Sequence, residues 1–224
     1  MKPYTWEEIK DFLIKELKKT KHIMTFGTIG SCNVEHDIDT IITKKPSSSS
    51  SEFYKEIHNL FDNINNYLMR KYGAKVIRFA QHEPEALRLS NAKNKDLAFQ
   101  VMIYTNYSQI ERDWAWALFE EDNLQEILKK NYKCLIGNVN DLFSNEFQKR
   151  NYYEPVFTYL YFGDRINSHY PIKLFVQLMN QLFDYLFRKR LGLKPPVAKN
   201  EKEVREIFYN LCDILDKLNK EKEV

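Results

Sequence analysis

Residues 26–43 read F-G-T-I-G-S-C-N-V-E-H-D-I-D-T-I-I-T. Asp37 and Asp39 stand two apart in this stretch, at the start of the β-branched run Thr40-Ile41-Ile42-Thr43. Such runs favour strands, and residues two apart on a strand project from the same face. Two carboxylates side by side repel, so the arrangement needs a positive partner. Paired divalent ions about 3.5–4 Å apart, bridged by carboxylates, are one such partner in phosphoryl-transfer sites. Mg²⁺ takes one or two carboxylates and completes its shell with water and substrate phosphates, which matches this supply of ligands. Upstream, the segment from Gly27 to Glu35 reads as a turn. There Gly27 would let backbone approach a ligand, and Thr28 and Ser31 would offer hydroxyls to a phosphate. The plainer alternative is an exposed strand with two solvated aspartates. The apolar run behind the acids argues instead for the mouth of a buried strand.

The elements that must hold these groups follow from periodicity. Thr5 and Glu8 have capping-box spacing, and Trp6, Ile9, Phe12, Leu13 and Leu17 recur at helical intervals. A short strand is expected at 22–26 and a second at 36–43. Pro46 and the serines at 47–51 break the pattern and read as a flexible surface loop. Ser49 and Glu52 are spaced to cap a helix over 52–72, with the stripe Phe53, Ile57, Leu60, Phe61, Ile64 and Leu68 buried and Gly73 as its stop. Strands follow at 74–80, 86–90 and 97–104, separated by polar turns. From Ser108 onward no strand is expected. Helical patterns recur near 108–121, 123–131, 141–149, 152–162, 171–191 and 201–219, which gives an α+β half (1–106) and an all-helical half (107–224).

Composition narrows the function classes. The chain has 224 residues and a net charge of +3, with 43% hydrophobic and 29% charged residues, which excludes a wholly disordered chain. No apolar run approaches the roughly 18 residues of a membrane span, so no membrane role is expected. Glu7, Glu8 and Asp11 interrupt the N-terminal region where a secretory signal would need an apolar stretch. Cys32, Cys134 and Cys212 are odd in number and widely spaced, which suggests a reducing, cytoplasmic setting without disulfides. His22, His36, His58, His82 and His169 are scattered and form no zinc-ligand spacing.

The combination Phe26-Gly27-Thr28, eight intervening residues and Asp37-Ile38-Asp39 resembles the DNA polymerase β-like nucleotidyltransferase superfamily. The run D-I-D-T-I-I-T is closest to the palm strand of family X polymerases. The resemblance covers about residues 22–106. It implies a nucleotidyltransferase-like mixed sheet with flanking helices over 1–106, followed by a helical domain over 107–224. It also implies two Mg²⁺ ions (with Mn²⁺ as a substitute), an NTP substrate such as ATP, and transfer of an NMP to a hydroxyl with release of pyrophosphate. The acceptor would be RNA, a DNA end, protein or a small molecule. Catalytic and metal-binding roles fall on Asp37 and Asp39 and on a third carboxylate, for which Asp96 in K-D-L-A-F-Q-V-M-I-Y has the expected form. Glu83, Glu85 and Asp113 are the other acids that could serve. Gly27, Thr28 and Ser31 would bind the nucleotide. Thr28 replaces the commoner serine or glycine. Ala98 stands where polymerase β-like palms often carry arginine. Residues 29–36 lack the paired arginines of family X polymerases, and no helix-hairpin-helix glycine motif is present, which argues against a templated polymerase. The alternative is a nucleotidyltransferase-like module that binds a nucleotide or partner without catalysis.

Two basic features stand outside this constellation. Lys44-Lys45 follows the acid-bearing strand, where it could meet a phosphate, but the plainer reading is a solvated pair. Phe187-Arg188-Lys189-Arg190 ends a long helix and is followed by Lys194-Pro195-Pro196. Cations at a helix C-terminus are favoured by the macrodipole alone, and a nucleic-acid patch is the sharper reading. Lys149-Arg150 with Tyr152-Tyr153 mixes charge and aromatics in the manner of single-strand binders, or contributes to the core.

Overall fold

The computed structural model describes residues 2–30, 32–79, 95–114, 123–149, 153 and 172–222. Helix α1 (Trp6–Leu17) opens with the expected capping box. The Glu8 N–H donates to Thr5 Oγ1 at 3.3 Å and the Thr5 N–H to Glu8 Oε2 at 3.0 Å. Strands β1 (Ile23–Ile29) and β2 (Asp37–Lys44) follow, then helix α2 (Ser50–Tyr72) and strand β3 (Val76–Phe79). Next come β4 (Leu97–Tyr104), α3 (Tyr107–Trp114), α4 (Leu124–Asn131), β5 (Tyr132–Ile136) and a 3₁₀ turn at Val139–Phe143. Helix α5 (Ile172–Asp184) runs into a π-helical segment, Tyr185–Leu191, and α6 (Glu201–Lys222) closes the chain. The strand expected at 86–90 and the helix at 152–162 lie outside the described residues, apart from Tyr153.

One five-stranded mixed sheet carries the molecule, in the order β3-β4-β2-β1-β5. β2 runs parallel to β4 and β4 to β3, whereas β1 is antiparallel to both β2 and β5. The strand β5 corrects the expectation of an all-helical second half. Its residues Tyr-Lys-Cys-Leu-Ile carry no alternating pattern, and it joins the sheet through a bulge at Phe26/Gly27.

The two faces of the sheet follow from the alternation of β2. Ile38 and Ile42, with Leu97, Phe99, Val101 and Ile103 of β4, face α1, α2, α5 and α6 in the larger core. Ile41, Met102 and Tyr104 face α3, α4 and the 3₁₀ turn, packing with Ile110, Trp114, Leu128, Tyr132 and Leu142. Helices from beyond residue 106 therefore share the larger core with α2, through Phe175, Met179, Phe183, Phe208 and Leu211.

Helix α2 begins where Ser49 accepts the Glu52 N–H at 3.3 Å and ends at Gly73, whose φ of 60° supplies the left-handed stop. The serine run is not a flexible loop up to its end. Ser50 and Ser51 are buried in the first turn of α2, and Ser50 donates both its N–H (2.6 Å) and its hydroxyl (2.7 Å) to the Asp216 carboxylate of α6. A second tie between these helices is the ion pair of Arg205 with Asp62, and a third is the 2.6 Å hydrogen bond between His58 Nδ1 and the Tyr209 hydroxyl. Among the described residues no helix is long and apolar enough to cross a membrane.

Candidate functional site

Asp37 is the first residue of β2 and Asp39 the third, so both carboxylates leave the strand on the Ile41 side, away from α2. Both are half-buried, while Ile38 between them is fully buried against the larger core. The parallel register sets Ala98 beside Asp37 and Gln100 beside Asp39. Ala98 is small and Gln100 is half-buried, so the acids adjoin a methyl group and an amide on β4 rather than a bulky side chain. The hydrophobic run behind them, Ile41 to Thr43, is what fixes the strand and thereby the pair.

Asp96 is placed differently. It precedes β4, two residues before the Ala98 that pairs with Asp37, which sets it about 6.6 Å farther along the strand axis and one strand over. It is buried (5% exposed), and its Oδ1 accepts the Lys75 N–H at 2.8 Å across towards β3. The residue fastens the entry of β3 to that of β4, where Leu97 N–H also donates to Lys75 O at 2.8 Å. Among the described residues no group of three or more His, Cys, Asp or Glu side chains is arranged to hold a metal ion. Of the other acids, Asp113 lies on α3, where it pairs with Arg112 at 2.9 Å, and Glu83 and Glu85 lie outside the described residues.

The expected phosphate turn is also displaced. Gly27 and Thr28 are interior residues of β1, not loop residues, because the strand continues to Ile29. Thr28 pairs with Thr40 and is 2% exposed, which puts its side chain on the opposite sheet face from the aspartates. Gly27 pairs with Ile41 and does share their face, but Tyr132 covers it. A Cβ at Gly27 would come within 2.5 Å of the Tyr132 ring and 2.6 Å of the Lys133 carbonyl oxygen. The glycine is therefore needed for close packing of β5, and the turn begins at Gly30, whose φ is 71°. Ser31 lies outside the described residues.

Two features had no sequence signal. The first is a strap formed by the N-terminal residues. The Lys2 N–H donates to Glu35 Oε1 at 2.8 Å, its ammonium reaches Asp96 O, and the Tyr4 hydroxyl donates to Lys95 O at 2.5 Å. The segment thus ties the connection before β2 to the one before β4. Burial lowers the Lys2 ammonium, opposed by Glu35 and Asp96, and raises the Tyr4 phenol with help from the same acids. The second is a hydroxyl network behind the acid pair. Tyr132 OH donates to Ile41 O at 3.0 Å and lies 2.9 Å from Thr25 Oγ1, which is 2.7 Å from Thr43 Oγ1. Burial raises the Tyr132 phenol well above its ordinary value and the neighbouring Cys134 thiol to about 11, so neither is a ready base or nucleophile near neutral pH.

Lys44 is not part of a solvated pair. It is buried, and its ammonium donates to Ser48 O at 2.5 Å, holding the turn between β2 and α2; burial lowers its pKa. No family model matches this chain, and no curated protein or solved structure does either.

Proposed function

We propose that the chain is a metal-dependent nucleotidyltransferase whose working carboxylates are Asp37 and Asp39. The observation that carries this reading is their position: two half-buried acids on one face at the entry of a strand that is otherwise buried. A pair of carboxylates, completed by water and phosphate oxygens, fits Mg²⁺, which seldom takes an all-protein cage. When bound, the metal would supply charge stabilisation for the triphosphate and a lowered pKa for an attacking hydroxyl. Asp37 and Asp39 would hold it against the sheet, and Gln100 would offer an amide N–H to a phosphoryl oxygen. The acceptor oxygen would form a bond to the α-phosphorus while the bond to the bridging oxygen breaks, and pyrophosphate would carry away the electron pair. With Asp96 engaged at Lys75, further metal ligands would come from the substrate.

That same engagement favours a second reading, a module that binds a nucleotide or partner without catalysis. One incubation separates the two. Each α-labelled NTP is supplied with Mg²⁺ or Mn²⁺ and with RNA, DNA or the protein itself as acceptor. Transfer of label that disappears in Asp39→Asn supports the enzyme. Binding of Mg²⁺-NTP by calorimetry with no transfer to any acceptor supports the module, and absence of both sinks the nucleotide reading.

A further inference from the structure

The π-helical end of α5 and the irregular segment after it form a positive strip that the transfer reading does not use. Residues 185–199 contain Arg188, Lys189, Arg190, Lys194 and Lys199 and no acid, leaving 29 Lys and Arg against 31 Asp and Glu elsewhere in the chain. The positive character of the protein is therefore concentrated here. All five cations are exposed. Arg188 pairs with Asp184 at 2.8 Å, one turn earlier, whereas Lys189, Lys194 and Lys199 make no ion pair among the described residues.

The strip is anchored to the core. Leu186 and Phe187 are buried in the larger core, and the Leu193 N–H donates back to Phe187 O at 2.9 Å across Gly192. In a π-helix the hydrogen bonds run five residues apart, so Tyr185 stands near Lys189 and Arg190, and such segments are frequent at functional sites. The Arg190 guanidinium lies 5.9 Å from the centre of the Tyr185 ring, and that ring is 48% exposed.

We propose that this strip binds single-stranded nucleic acid, with Tyr185 as a stacking platform for a base and Arg188, Lys189, Arg190 and Lys194 following the phosphates. An exposed aromatic ring beside spaced cations is what a strand of alternating phosphates and flat bases requires. A lipid surface would require a broad apolar helix face, and the apolar face of α5 is already buried through Phe175, Met179 and Phe183. The exposed apolar residues here are Leu193 and Val197, both in the segment after the helix. Within the transfer reading, such a strand would be the hydroxyl acceptor, but binding itself does not rest on that reading.

The test is fluorescence anisotropy with labelled single-stranded RNA and DNA, without NTP or metal, over a range of salt. Its outcome is thus separate from that of the transfer assay. Wild type should bind with affinity that falls as salt rises. Arg188→Ala/Lys189→Ala/Arg190→Ala should lose at least about tenfold and flatten the log–log salt slope by about 2, since each phosphate contact contributes about 0.7. Tyr185→Ala should lose about tenfold at an unchanged slope. Lys15→Ala/Lys18→Ala/Lys129→Ala, on α1, at its C-cap and on α4, is the charge-matched control and should bind as wild type. If the triple variant melts early, the single glutamine substitutions at the same positions replace it. Equal losses in the control, no loss in the strip variants, or tighter capture by phosphatidylserine vesicles than by oligonucleotide would each overturn the assignment.

Discussion

On the α2 side of the sheet, the inward positions of β2 and β4 are apolar or a buried threonine, except for the buried Lys44 at the end of β2, and the covering helices are joined by polar contacts. Asp216 accepts twice from Ser50, Arg205 grips Asp62, and His58 meets Tyr209. On the other side, the cover of α3 and α4 packs on Ile41, Met102 and Tyr104, and the same strands carry Asp37, Asp39 and Gln100 at their entry. One strand thus serves a sealed face and a face with a half-buried polar end. A sealed face gains stability from buried apolar area, at about 25 cal/mol per Å². Like charges placed together add none by that route.

The largest expected effect tests that difference. If the polar end is a transfer site, Asp37→Asn and Asp39→Asn should each lower turnover by about three orders of magnitude, near 4 kcal/mol of barrier. The melting temperature without metal should stay within about 2 °C of wild type or rise, because a repulsion has been removed. Single-turnover transfer and calorimetric melting check this together. Wild-type turnover in both variants would place the chemistry elsewhere.

Next in size is a test of what Gly27 does. Gly27→Val should cost about 3 kcal/mol or more, since the added carbons meet the Tyr132 ring and the Lys133 backbone, and β5 cannot withdraw without leaving the sheet. In a chain of this length that is a fall in melting temperature of about 6–12 °C. Gly30→Ala meets no atom within 4 Å and should cost about 1 kcal/mol from its left-handed backbone alone. Equal stability losses would mean that Gly27, too, serves only as a turn.

These two glycines show what the sequence can and cannot convey. Local signals were legible. The Thr5–Glu8 box, the Ser49 and Gly73 ends of α2, the strands at 36–43 and 97–104 and the mixed α/β class all depend on residues within a few positions of each other. The function of Gly27 depends on Tyr132, 105 positions later, and so a glycine beside a second glycine reads as a turn. Ser50 and Ser51 read as loop because Asp216, which receives Ser50, is 166 residues away. β5 is specified by its pairing with β1, not by its own pattern. The acid pair was visible because its spacing is local. The hydrogen bond that Asp96 accepts from the Lys75 N–H was not, because only the pairing of β3 with β4 reveals it.

The ties on the sealed side are expected to matter less individually. Asp216→Ala leaves the Ser50 N–H and hydroxyl without their acceptor at the start of α2 and should cost about 1–2 kcal/mol, read as a shift in the denaturant midpoint at constant slope. Turnover per folded molecule should not change. A loss of turnover larger than the loss of folded protein would mean that α6 reaches the acid pair through α2, and the two sides would not be independent.

The smallest effect concerns a partly exposed contact at the start of α1. Glu8 accepts the Thr5 N–H at 3.0 Å, the Lys71 ammonium at 3.1 Å and the Tyr72 hydroxyl at 3.0 Å. These hydrogen bonds, that from the Thr5 backbone foremost, lower its carboxyl from 4.5 to about 2. A carboxyl depressed by folding contributes stability that is complete above its unfolded value and is lost as pH falls through its folded value. The window is therefore pH 4.5 down to about 2. Glu8→Gln keeps an acceptor for Thr5 but carries no charge, so its stability should fall less steeply than that of wild type across that window and run parallel to it above. Because the group is partly exposed, the difference should shrink as salt rises to about 1 M, where screening acts within about 3 Å. Urea unfolding at a series of pH values measures it. Parallel curves at every pH would show that the contact holds the cap without its charge, and the link from α1 to α2 would rest on its other contacts, among them Phe12 stacked against Tyr67 at 4.2 Å and Asn63 donating to Glu16 at 2.9 Å.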